Sequence, residues 1–263
     1  MGKSLLGLIA LSGALSATAN AQSSAPNEPV APSVPPLITD RPDFTESPQT
    51  VPQGMTQIEG GITFEHSGRD KATTYGETLV RIAAGNSAEI RVGIPSYITQ
   101  RGAGAHADGF DNSFLGAKFA LVKRENFPIA LLVGTTLPTG SRRVAPRGTN
   151  VEAVIATETE LSKKIGLALN AGAGRPNEGN GRFSQYFASA SFGFDLSERV
   201  GAYAEVYAFN RDEPGGDSKQ FINGGFTYQS NPNLQFDARL GFGLGNKVDG
   251  PDYFTGVGVT QRF

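Results

Sequence analysis

From residue 56 onward the dominant period of the chain is two. At 234–244, Leu234, Phe236, Ala238, Leu240, Phe242 and Leu244 alternate with Gln235, Asp237, Arg239, Gly241 and Gly243. At 57–65, Ile58, Ile62 and Phe64 oppose Gln57, Glu59, Thr63 and Glu65, and at 89–94, Ile90, Val92 and Ile94 oppose Glu89, Arg91 and Gly93. Successive side chains point to opposite faces in a strand, so each such segment has one apolar and one polar face. Gly is 34 of 263 residues, β-branched and aromatic residues fill the runs, and helical spacing is weak. The pattern predicts twelve strands: 56–65, 74–84, 88–95, 113–123, 127–137, 150–162, 165–175, 183–195, 199–210, 219–229, 233–245 and 252–263. The fold class is all-β.

The connections alternate in length. Gly85–Ser87, Arg124–Asn126, Lys163–Lys164, Ser197–Glu198 and Ser230–Pro232 are short. His66–Thr73, Ser96–Asn112, Pro138–Thr149, Pro176–Arg182, Arg211–Ser218 and Asn246–Pro251 are longer and polar. Tight turns at one end and longer loops at the other are the layout of an antiparallel transmembrane barrel, with both chain ends on the tight-turn side.

Four features favour a membrane barrel over a soluble one. Ten- to thirteen-residue segments suit a tilted crossing of the bilayer. The polar faces carry ionisable groups of both signs: Glu59, Arg81, Glu89, Arg91, Lys118, Glu152, Glu205, Asp237, Arg239 and Arg262. A dry core could not hold them, whereas a wet lumen can, where they would set selectivity or neutralise one another across strands. Glycines on the same faces leave room for closely packed lumenal side chains. The last residue, Phe263, shares a face with Val259, Val257 and Tyr253, the arrangement of a barrel-assembly signal, although Gln261 departs from it and the chain has no Trp for an interfacial girdle.

The first 55 residues are different material. Lys3, the apolar run Leu5–Leu15 and Ala19-Asn20-Ala21 form a secretory signal peptide, with cleavage expected after Ala21. The apolar run is too short to span a bilayer as a helix. Eight of the 16 prolines lie between Pro26 and Pro52, so residues 22–55 read as a Pro-rich periplasmic tether ahead of the barrel at 56–263. Within it, Asp40, Arg41, Asp43, Phe44 and Glu46 are candidates for a plug that enters the lumen, its acids and base pairing with lumenal charges and Phe44 anchoring it. The competing reading is an ordered lead-in over the start of the first strand.

Composition excludes several functions. There is no Cys, hence no disulfide, thiolate metal site or Cys nucleophile. The net charge of −2 gives no field for nucleic acid. His66 and His106 fall in predicted loops outside any nucleophile motif, and their spacing with Asp108 defines no metal site. Nothing calls for a cofactor, and no enzyme is expected.

Several segments resemble one outer-membrane family, that named for the MetA pathway of phenol degradation. They are TDRPDFTESPQTVPQGMTQIEGG at 39–61, ETLVRIAAGNSAEIRVG at 77–93, FLGAKFAL at 114–121, LPTGS at 137–141, LSKKIGLALNAGAG at 161–174 and YFTGVGVTQRF at 253–263. The resemblance implies an exported β-barrel with a transport role. The resulting expectation is a passive outer-membrane channel or transporter for small molecules, hydrophobic or aromatic compounds among them. Its partners would be outer-membrane lipids, lipopolysaccharide (through Arg142, Arg143 and Arg147), the barrel assembly machinery and an unknown small-molecule substrate. The alternative is a structural or adhesive barrel that binds through its loops without an open pore.

Overall fold

The computed structural model describes residues 35–102, 106–178, 181–244 and 251–263. The expected signal peptide, its cleavage site and the early tether lie outside them. The strands are β1 (Thr56–Ser67), β2 (Asp70–Ala83), β3 (Ala88–Gly93), β4 (Tyr97–Arg101), β5 (His106–Phe110), β6 (Ser113–Val122), β7 (Ile129–Leu137), β8 (Asn150–Ser162), β9 (Ile165–Gly174), β10 (Asn177–Glu178), β11 (Gly181–Arg182), β12 (Gln185–Asp195), β13 (Val200–Phe209), β14 (Lys219–Asn231), β15 (Leu234–Leu244) and β16 (Tyr253–Arg262).

Twelve of these, β1 to β3, β6 to β9 and β12 to β16, form one antiparallel sheet that closes where β1 pairs with both β2 and β16. Every predicted strand is present within a few residues. At the seam, the Thr56 and Phe263 amides each donate to the other residue's carbonyl, at 3.1 and 2.8 Å, so the last residue completes the ring at the tight-turn end.

Three predicted loops contain sheet instead; the smallest, 176–182, holds the short β10–β11 pair. β1 and β2 continue to a two-residue turn at Gly68-Arg69, with Ser67 opposite Asp70 and Gly68 at φ +57°. Residues 96–112 contain the β4–β5 hairpin, which pairs with the distal half of β2 beyond the end of β3. These extensions lack a clean apolar face, which is why period-two reading stopped short of them. A bulge between Glu59 and Gly61 leaves Gly76 and Glu77 of β2 at φ +101° and +41°; such an insertion re-aims the local side chains.

The faces are inverted relative to a soluble protein. Phe226, Phe236, Phe242 and Val257 are exposed on the outside, while Glu89, Lys118 and Thr260 are 0% exposed inside. The small buried apolar cluster is Ala130, Leu132, Val154 and Ala156, with Phe187 against it. The rest of the interior is largely polar, with buried rings such as Tyr203, Phe221 and Phe254 on one side, and the segment that precedes β1 runs through it.

Candidate functional site

All ten lumenal candidates lie on inward-facing positions. Residues 35–52 run among them, and two sets of contacts hold this segment. The first is a charge cluster on the β1–β2–β3–β6 wall. Asp40 pairs with Arg81 at 3.0 Å, Lys118 at 2.9 Å and Arg91. Both carboxylate oxygens of Glu46 accept from Arg91 Nη2, at 2.9 Å each. Arg81 bridges Glu59 and Glu89, both at 2.9 Å, and Glu89 also meets Arg91 at 3.2 Å. These side chains were placed on one wall by cross-strand register: Gln57 lies opposite Arg81, Arg81 opposite Arg91 and Glu89 opposite Lys118.

The wall also holds the segment's backbone. Lys118 Nζ donates to the Ser47 carbonyl at 2.8 Å, Arg81 to Gln49 at 3.0 Å, and the Val51 amide donates to Glu89 at 2.8 Å. Proline-rich chain has no ladder of its own, so its polar groups find partners among lumenal side chains. Burial alone would raise the Asp40 carboxyl, but Arg81, Lys118 and Arg91 outweigh it and hold Asp40 well below the ordinary carboxylate range.

The second set lies on the β9–β12–β13–β14 wall. Phe44 stacks on Tyr207 at 4.5 Å and meets Phe187 and Phe209 edge-on at 5.6 and 5.4 Å. Tyr207 in turn stacks on Phe221 at 4.9 Å. Glu205 accepts from the Phe44 and Thr45 amides at 2.9 and 2.6 Å, from the Thr45 hydroxyl, and from Asn223 Nδ2 at 2.6 Å. Asn170 takes the Glu46 amide on Oδ1 at 2.7 Å and donates Nδ2 to the Glu46 carbonyl at 2.9 Å. Replacing Phe44 with Ala removes the ring that spans this wall and should weaken docking by about 3 kcal/mol. The readout is faster protease cleavage within residues 35–52 of the refolded protein.

Arg41 links the segment to the seam side. It pairs with Glu77 at 2.8 Å and Asp237 at 3.4 Å. Its guanidinium lies over Gly61 of β1 and Gly258 of β16, where a Cβ would collide with it. Arg239 donates to the Pro42 carbonyl at 2.9 Å and Thr63 at 2.8 Å and sits 5.6 Å from the centre of the Phe254 ring. Arg262 donates to the Pro35 and Pro36 carbonyls at 2.7 and 2.9 Å, at the tight-turn end. Glu152 lines a small space with Glu46 and Arg91.

Sequence reading missed Glu77, Glu158 and the aromatic wall, and placed Gln57 and Asn170 on polar faces without singling them out as site residues. Glu77 carries no alternation signal because it sits in the bulge. Gln57 bonds Glu59 at 2.8 Å, and Glu158 accepts from Gln49 at 2.7 Å. Tyr203 and Tyr207 share Glu205's inward face, and that phase was the available clue. His66 stacks on Tyr253 and His106 begins β5, and among the described residues no group of His, Asp and Glu is placed to hold a metal.

The architecture is that of a transmembrane β-barrel with its own N-terminal segment folded into the lumen. The chain belongs to the family described as "Putative MetA-pathway of phenol degradation", whose model matches residues 39–263. Among solved structures, it is similar to the COG4313 outer membrane channel from Pseudomonas putida F1. That match has 13% identity and a TM-score of 0.64, covering 81% of this chain and 97% of the other. The KdgM porin matches at 11% identity and TM-score 0.55 over 79% and 99% of the two chains. The NanC porin matches at 11% and 0.51 over 78% and 98%. No curated protein matches the chain by sequence.

Proposed function

We propose that the protein is a passive, non-enzymatic channel for small molecules in the outer membrane, and that residues 35–52 are its built-in constriction. The observation that carries this reading is a pair of cavities on opposite sides of the segment. One, of about 600 Å³, opens toward the tight turns at Lys163-Lys164 and Asp195 and is bordered by Arg41, Pro42 and Asp43. The other, of about 460 Å³, opens toward the long loops and is bordered by Asp43, Phe44 and Glu46. A lumen with space at both mouths and a charged segment between them suits filtered passage better than a solid structural plug. Similarity to an outer membrane channel and to porins supports the same reading.

On this reading the chain is exported with cleavage after Ala21, and the tight turns face the periplasm. Phe263 is then presented to the assembly machinery, and the charged residues around the segment set selectivity.

Planar-bilayer recording of the refolded mature protein, after heat-modifiable migration confirms folding, tests the proposal. Discrete steps are expected, and deletion of residues 22–48 should enlarge them. A folded, inserted barrel silent both with and without the segment would overturn it and favour a structural or adhesive role.

A further inference from the structure

The cavity at the long-loop end has a composition that the charge cluster does not use. Its wall carries the rings of Phe44, Tyr207, Phe209 and Phe221, with Glu65, Asp43 and Asn223 beside them. Glu65 and Asp43 make no ion pair among the described residues, in contrast to the carboxylates of the Arg81–Arg91–Lys118 cluster. Asn223 is 4% exposed, and its Oδ1 has no hydrogen-bond partner although its Nδ2 is committed to Glu205. Arg239 Nε is likewise buried without an acceptor and Asp43 accepts from Ser191, so what sets this wall apart is two carboxylates outside any ion pair beside the open Asn223 oxygen. The one cation on the wall, Arg239, is held by the Pro42 carbonyl and Thr63 and lies 3.6 Å from Glu77. Asp43 also borders the cavity at the tight-turn end, so it stands at the passage between the two.

We propose that this cavity binds small organic cations, with the ammonium donating to Asp43, Glu65 and Asn223 Oδ1 and the apolar part against the Phe44–Tyr207–Phe209–Phe221 rings. Aromatic surfaces with nearby carboxylates favour a cation over an anion of the same shape. An ammonium also supplies the donors that buried acceptors lack. The inference deepens the channel reading, since it gives the solute class that would pass Asp43, but the binding step can be measured without conduction.

The groups around Asp43 are Glu205 and Tyr203 on β13, Arg239 on β15, Ser191 on β12, Glu65 on β1, and Asp40 and Glu46 on its own segment. Burial, and then the Glu205 carboxylate, push Asp43 well above the ordinary carboxylate range. A raised acid gains its charge as pH rises, so cation binding should strengthen with pH until the ligand itself loses its proton.

The experiment is calorimetric titration of the full mature protein in detergent micelles with benzylammonium and, separately, benzoate. Benzylammonium is expected to bind, with benzoate at least about tenfold weaker; Glu65→Gln should weaken benzylammonium by about tenfold through loss of one charge-assisted contact, and Asp43→Asn should weaken it and abolish its strengthening with pH. Both variants are near-isosteric, and heat-modifiable migration checks that they fold. Equal binding of the two ligands, absence of binding, or unchanged affinity in both variants would overturn the proposal. Because the chain has no Cys, Asp43→Cys gives a second measurement. A cationic methanethiosulfonate should modify it, while leaving lipid-facing Phe226→Cys untouched; equal modification of the two would also overturn the assignment. Silent bilayer recordings beside selective benzylammonium binding would sink the channel reading and leave this one standing.

Discussion

Replacing Asp40 with Ala should release the lumenal segment and raise bilayer conductance toward that of the deletion lacking residues 22–48. Asp40 is 8% exposed and is the shared partner of Arg81, Arg91 and Lys118. Without it, Lys118, itself 0% exposed, keeps the Ser47 carbonyl at 2.8 Å but as countercharge only carboxylates at 3.8 Å (Glu46) and 4.0 Å (Glu89). Removing one partner from a buried ion pair costs about 3–5 kcal/mol, because the other charge stays out of water. The Phe44 and Glu205 contacts remain on the opposite wall, so the release should be partial. Protease should cut within residues 35–52 while the barrel stays resistant to unheated detergent. Unchanged conductance would mean that Asp40 does not hold the constriction. The sign with pH follows from the lowered Asp40 pKa: docking from this group is fully present above the unfolded value of about 3.9 and is lost only as pH falls through the lower, folded one. Wild-type conductance should therefore gain no Asp40-dependent rise near pH 4.

The second large effect is on the barrel itself. Arg81 is 1% exposed and ties Glu59 of β1 to Glu89 of β3 while donating to the Gln49 carbonyl. Arg81→Met leaves two carboxylates that are 1% and 0% exposed with less countercharge. The temperature at which the folded band converts to the unfolded one on a gel should fall by on the order of 10 °C. Adding Glu59→Gln should recover part of the loss, because the cost is unbalanced charge rather than missing volume. Arg81→Lys should fall between, since an ammonium cannot reproduce the fork that reaches both carboxylates. A melt unchanged by Arg81→Met would show that the triad adds nothing to the barrel's resistance.

The strands were legible because lipid enforces period two: a strand such as β15 must put Phe236, Leu240 and Phe242 outward whatever it does inside. β4 and β5 were not legible for the converse reason. Tyr97–Arg101 and His106–Phe110 extend the sheet past the region where an apolar outer face is required, so their alternation is blurred and their glycine and charge content reads as loop. The inward charges could be placed on a face, but their pairing could not. Asp40 meets Lys118 78 residues away, and Arg41 meets Asp237 196 residues away, and no local signal encodes such separations. The aromatic wall was half legible: the phase of β13 puts Tyr207 on the face of Glu205, but nothing local says that Phe44 and Phe221 meet it there.

Arg41 has a mechanical consequence. It touches Glu77 on β2, Asp237 on β15 and the Val257 carbonyl on β16, while Arg262 grips the segment where it begins. β1 lies between these anchors and forms the junction with β16 at which first and last strands meet. A load that peeled β1 from β16 would also have to strip the guanidinium from both flanking strands. The inserted chain therefore acts as an internal clasp, and the doorway into the bilayer that a parted junction would offer stays shut while it is fastened.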